Sequence, residues 1–114
     1  MSRHSSVILF TSFGLGQAPN DLQQKLVGVF LTLLNQSDAL PSKLLFYTEG
    51  VKLVCEGSPV LEQLRALEAK GLELIICSTC LNYFGLSDKV QVGIVGGMPD
   101  ILEALSRAEK VITV

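Results

Sequence analysis

Short apolar runs alternate with amphipathic stretches along the whole of this chain. Val7-Ile8-Leu9-Phe10 is continuously apolar, the pattern of a strand buried on both faces. It runs out at Thr11-Ser12-Phe13-Gly14-Leu15-Gly16, and Pro19-Asn20-Asp21 then supplies helix-start chemistry for a helix reaching about residue 36. At about 100° per residue, Leu22, Leu26, Val29, Phe30 and Leu33 form one stripe of that helix. Val27, Leu31 and Leu34 widen the apolar arc to roughly half the circumference, more than a one-sided surface helix needs. A second burial partner is expected there, and another subunit is the simplest one.

A second strand is expected over residues 44–47, opening onto Thr48-Glu49-Gly50. Residues 51–56 fit either a short helix or an extended piece. Ser58-Pro59 reads as N-cap and first helical position of a helix whose face is Val60, Leu61, Leu64 and Leu67 and whose stop is Gly71. Residues 72–76 form the third strand, with Cys77-Ser78-Thr79-Cys80 directly after it and a short helix over 79–84 closed by Gly85. Residues 90–95 make a fourth strand, Gly96-Gly97 a turn, and Pro99 with Asp100 starts a helix to about residue 108. Residues 110–114 make a fifth, short strand. The alternation predicts an α/β fold, a single doubly wound and mostly parallel five-stranded sheet in one domain over residues 1–114.

At 114 residues there is little room for a second domain. Apolar residues make up 48% and charged residues 18%, which supports a packed core, and the mean hydropathy of +0.44 fits further burial between subunits. No apolar run approaches the roughly 18 residues of a membrane span, and residues 7–10 are too short for a signal-peptide core, so a cytoplasmic protein without membrane contact is expected. A net charge of −2 gives no footprint for phosphate backbones, so nucleic acid is not expected as a partner.

Parallel sheets react at the carboxyl ends of their strands, where the loops 12–16, 48–50, 77–80 and 96–98 would converge. Ser12, Gly14, Glu49, Ser78, Thr79, Tyr83 and Gly97 are the pocket candidates on that edge. Cys77 and Cys80 carry its sharpest chemistry, because Cys77 stands where a strand turns into a helix and Cys80 lies about one turn on. Helix-terminus N–H groups would favour a thiolate at Cys77, and Tyr83 and Phe84 would wall the cysteines from water. A thioredoxin-like fold would place its CxxC after an early strand, whereas this one follows the third. A Cys₃His zinc site would need Cys55 and the terminal His4, neither in a paired motif, so no metal and no cofactor are expected. Gly14-Leu15-Gly16 lacks the third glycine of a dinucleotide fingerprint and reads as a tight turn.

Leu74-Ile75-Ile76-Cys77-Ser78-Thr79-Cys80-Leu81-Asn82-Tyr83-Phe84-Gly85-Leu86 resembles the C-G-T-C-L-[DN]-[YF]-[YF] signature of the DsrE-like domain in YedF-type proteins. Those are sulfurtransferase-like proteins linked to selenium metabolism, within the wider DsrE/DsrF-like family. Phe10-Thr11-Ser12, Gly50-Val51-Lys52-Leu53, Glu56-Gly57-Ser58 and Lys110-Val111-Ile112 agree with the same family. The resemblance implies a parallel α/β fold that assembles into homo-oligomers, and a cysteine after the third strand that carries sulfur as a persulfide. Cys77 matches that cysteine, and Cys80 matches the second cysteine of the YedF-type pattern. YedF-type proteins carry an N-terminal TusA-like domain that this chain does not show, so transfer to a separate TusA-like carrier is expected. Gly96-Gly97-Met98-Pro99 stands where polar residues belong in the family pattern, and Cys55 has no counterpart in it. Two other readings stay open: an oligomeric module that binds or senses small sulfur species, and a dithiol–disulfide redox protein.

Overall fold

The apolar runs form the centre of a sheet. The structure, a computed structural model, describes residues 5–114. Strands β1 (Ser6–Phe10), β2 (Lys43–Phe46), β3 (Glu73–Cys77), β4 (Ile94–Gly96) and β5 (Lys110–Thr113) lie in the order β4-β3-β2-β1-β5, every pair parallel. Between them run α1 (Asn20–Asn35), a 3-10 helix (Thr48–Val54), α2 (Leu61–Ala69), α3 (Ser78–Phe84) and α4 (Met98–Arg107).

Register sorts the side chains into two layers, because successive residues of a strand point to opposite faces. Phe10, Phe46 and Ile76 stand in one row, Leu9, Leu45 and Ile75 in a row on the other face. The first layer meets α1 and α2: Phe10 stacks on Phe46 at 5.0 Å and meets the edge of Phe30 at 6.3 Å. The second meets α4, whose Asp100 and Ala104 share a cleft with Ile75. Three connections step β1 to β2 to β3 to β4, and the fourth crosses the whole sheet from β4 to β5. Neighbouring β3 and β4 therefore feed helices on opposite faces, the switch point at whose carboxyl ends parallel sheets bind their ligands, and Cys77 and its register partner Gly96 stand at that end.

Several local expectations shift. The sheet takes the opposite half of the α1 arc: Gln23, Val27 and Leu31 are buried, while Leu22, Leu26, Val29 and Leu33 are 44–60% exposed. Gln23 turns inward because its amide donates to the Gly16 carbonyl at 2.6 Å and so satisfies the loop before α1. The expected strand over 90–95 shortens to Ile94–Gly96, since residues 89–91 pair instead with 54–56. Ser58 does not cap α2 from the expected place: its hydroxyl accepts from Val60 N–H at 3.2 Å, Val60 is the N-cap, and Pro59 lies outside the helix. The ambiguous stretch after Gly50 continues a 3-10 helix to Val54, and α3 begins one residue early, at Ser78, with Cys77 as both last strand residue and N-cap.

Candidate functional site

The apolar strand β3 delivers Cys77 to the carboxyl edge, and the first turn of α3 returns Cys80 to it. The two thiols are free, three residues apart, and Cys77 stands close enough to push the Cys80 thiol up. Cys77 is 1% exposed, whereas Cys80 is half-buried, so a reagent from solvent meets Cys80 first. Cys77 makes no side-chain cap bond to the first turn of α3. The N–H···S contact comes instead from another loop and reaches the other cysteine: Thr48 N–H donates to Cys80 Sγ at 3.1 Å. Burial pushes the Cys80 thiol above its ordinary range, the Thr48 N–H pulls it down, and adjacent Cys77 pushes it up again.

Thr48 itself is strained. Its φ of +49° is the sole positive value among the described non-glycine residues, on a β-branched side chain that disfavours it by about 1–2 kcal/mol. The hydroxyl holds it there, 2.5 Å from the Thr11 carbonyl oxygen and 2.7 Å from that of Tyr47, with one proton to donate between them. Beside it, Gly50 lets the 3-10 helix press on the end of β1: a Cβ there would stand 2.1 Å from the Phe10 carbonyl oxygen.

The other candidates divide. Ser78 is half-buried and Thr79 exposed in the first turn of α3, and Gly97 caps α4 just after β4 with its N–H donated to Asp100 Oδ2 at 2.9 Å. Glu49 follows Thr48 but faces Lys52 at 3.3 Å, and the Lys52 ammonium lies 4.6 Å from the Phe84 ring centre. Ser12 spends its hydroxyl on its own loop, 3.1 Å from the Gly14 carbonyl oxygen and 3.2 Å from that of Gly16. Gly14 packs so closely on Gln23 that a Cβ would stand 2.3 Å from its backbone, which makes both residues parts of the turn. Tyr83 does not wall the cysteines in this chain: it is 84% exposed, its ring set edge-on to Phe84. Cys55 is buried, donates to the Val51 carbonyl at 3.2 Å, and lines a separate cleft of about 370 Å³ with Phe13, Lys52 and Phe84. Among the described residues no three His, Cys, Asp or Glu side chains gather as metal ligands, and His4 lies outside those residues. No helix among them is long and apolar enough to cross a membrane.

Residues 15–114, which include both cysteines and every strand but β1, match the DsrE/DsrF-like family. The chain belongs to that family. Solved structures agree on the fold. The YchN protein from E. coli is 17% identical over 96% of this chain and 98% of its own, with a TM-score of 0.69. MTH1491 from Methanobacterium thermoautotrophicum, a protein of unknown function, is 16% identical over 96% and 98%, at 0.65. BT1422 from Bacteroides thetaiotaomicron, also of unknown function, is 15% identical over 96% and 95%, at 0.67. No curated protein matches the chain. The DsrE-like frame thus accounts for the parallel sheet. Thr48 was not singled out from the sequence: a β-branched residue in the left-handed region leaves no signal in composition or periodicity.

Proposed function

We propose that this DsrE-like protein carries sulfane sulfur as a persulfide on Cys77, with Cys80 as its resolving thiol. The observation that carries the reading is the pair of free thiols, one buried and one half-buried, set where β3 turns into α3 at the carboxyl edge of the sheet. A donor persulfide R–S–SH meets the Cys80 thiolate, which takes the outer sulfur and releases R–S⁻. Cys77 then takes that sulfur from Cys80, its proton passing to the departing Cys80 sulfur, and holds it in its buried position. An acceptor thiolate recovers it by the reverse route, with sulfur moving outward through Cys80. If no acceptor comes, the Cys80 thiolate attacks the inner sulfur of Cys77–S–SH, forming a Cys77–Cys80 disulfide and expelling HS⁻. A cellular thiol reductant then resets the pair.

The same steps accommodate selenium as a selenopersulfide, in keeping with the YedF-type resemblance of Leu74–Leu86, and a separate TusA-like protein is the acceptor that resemblance suggests. The reading places the protein in the cytoplasm, where thiols stay reduced. It also takes the protein to be a homo-oligomer. Leu22, Leu26, Val29 and Leu33 follow one another at spacings of four, three and four on the outer face of α1, the seam of a helix pairing.

Intact mass and peptide mapping after treatment with a low-molecular-weight persulfide donor test the proposal. The expected result is whole-sulfur adducts mapped to Cys77, slow loading in Cys80→Ala and no stable adduct in Cys77→Ala. Stable adducts in Cys77→Ala equal to the parent's would sink it. Loss of two hydrogens without added sulfur would assign the pair to dithiol–disulfide redox chemistry instead, a reading that two free thiols one helical turn apart also favour.

A further inference from the structure

Cys80 is the thiol a donor reaches first, and both its attack on the donor and its resolving step need it as thiolate. Two of its surroundings oppose that state, burial and the neighbouring Cys77 thiol. One contact favours it, the Thr48 N–H at 3.1 Å. The direction of that N–H is set by a backbone conformation that threonine does not adopt unaided: φ is +49°, and the hydroxyl bonds toward Thr11 and Tyr47 hold it there. Thr48 is exposed and is the first residue of the 3-10 helix, so core packing does not explain the strain.

We infer that Thr48 is a positioning residue for Cys80: its hydroxyl latches the tip of β2 to the end of β1 in a left-handed turn that aims the Thr48 N–H at the Cys80 sulfur. The latch joins the carboxyl ends of three adjacent strands, β1 through the Thr11 carbonyl, β2 through Thr48 and β3 through the turn that bears Cys80. Its effect is to keep Cys80 ionisable despite burial. An N–H bonded to a charged sulfur is roughly twice as strong as the same bond to a neutral one, so the contact acts on the thiolate more than on the thiol. Besides Cys77, the ionisable groups that the elements packed on α3 bring near are Glu49 and Lys52 of the 3-10 helix; these pair with each other. Tyr83 on α3 itself points to solvent. Neither charge is coupled to the hydroxyl of Thr48, so a change at that hydroxyl reports the latch.

This inference rests on the role given to Cys80 above, but its test reads ionisation and not sulfur uptake, so either can fail alone. The rate of iodoacetamide alkylation at Cys80 is measured from pH 6.5 to 10.5 in the full-length protein, site by site through peptide mapping. Thr48→Ser keeps the latch, and its profile should overlay the parent's. Thr48→Ala loses the latch; the residue should relax to negative φ, move the profile up by about half to one pH unit and slow alkylation at pH 7.5 about three- to tenfold. Circular dichroism and a urea midpoint show that each variant is folded, and Thr48→Gly serves as a further arm because glycine holds the left-handed turn without the hydroxyl. Its profile should lie nearer the parent's than that of Thr48→Ala. A parental profile in Thr48→Ala, or a shift in Thr48→Ser as large as in Thr48→Ala, would overturn the inference.

Discussion

Replacing Gly50 by alanine is the sharpest test of how the carboxyl edge is assembled. The 3-10 helix crosses the end of β1 so closely that a Cβ on Gly50 would meet the Phe10 carbonyl oxygen at 2.1 Å and its carbon at 2.7 Å. Neither is the far end of a flexible side chain. Phe10 is fully buried at the carboxyl end of β1, stacked on Phe46, and cannot retreat. The 3-10 helix must move by roughly 1 Å to restore ordinary contact. That displacement strains the Tyr47 N–H bond to the Phe10 carbonyl, 3.2 Å, and the Thr48 hydroxyl bond to Thr11. Overpacking of this kind costs about 2–3 kcal/mol, and at about 4 °C per kcal/mol for a chain of this size Tm should fall by about 8–12 °C. Urea unfolding followed by circular dichroism, at one fixed protein concentration, measures it. The same substitution at Gly28 is the control: no atom lies within 4 Å of a Cβ there, so alanine in mid-helix should stabilise by about 0.5–1 kcal/mol. A Gly50→Ala protein within about 0.5 kcal/mol of the parent, a change typical of surface substitutions, would refute the idea that this backbone approach positions the 3-10 helix.

Two further outcomes are expected. Leu31 is fully buried and Leu33 60% exposed on the same helix, so Leu31→Ala should cost about 2–4 kcal/mol while Leu33→Ala leaves the folded protomer within about 0.5 kcal/mol and weakens self-association, measured by urea unfolding and by sedimentation. Burial raises the thiols of both Cys55 and Cys80, so the folded chain holds their protons more tightly than the unfolded chain, whose thiols titrate near pH 8.5. Stability should therefore be full below about pH 8.5 and fall as pH rises through the elevated folded values. Thermal melts from pH 7 to 10.5 should show that fall, and it should shrink in Cys55→Ala and in Cys80→Ser; a flat or rising profile would contradict it.

The order of elements and the place of the CxxC were legible because both rest on patterns a few residues long. Leu72 to Ile76, apolar but for Glu73 and bounded by Gly71 and Ser78-Thr79, has the length and flanks of a strand. The burial of α1 was not legible. Its apolar arc spans half the helix, so periodicity marks two faces without saying which one the sheet takes. The side that won contains Gln23, a polar residue that counts against it in any hydrophobic tally, and Gln23 is inside because the Gly16 carbonyl needs a donor. The start of α2 was misplaced for a related reason: Ser58 uses its hydroxyl on a local turn before the helix, which the cap rule cannot distinguish from a cap.

Thr48 is the instructive failure. Local propensity places a β-branched residue in extended backbone, and here it takes the left-handed region on the strength of two hydroxyl contacts made possible only once β1 and β2 are side by side. Gly50 shares that property, since its lack of a side chain is explained by the Phe10 carbonyl at the end of β1. These two exceptions to local rules therefore lie where the loops after β1 and β2 close on one another. Natural sequences depart from local consistency where a site requires it. Of these departures Thr48 is the one that reaches the cysteines, through its N–H on Cys80 Sγ, and so ties the strain to the edge that bears them.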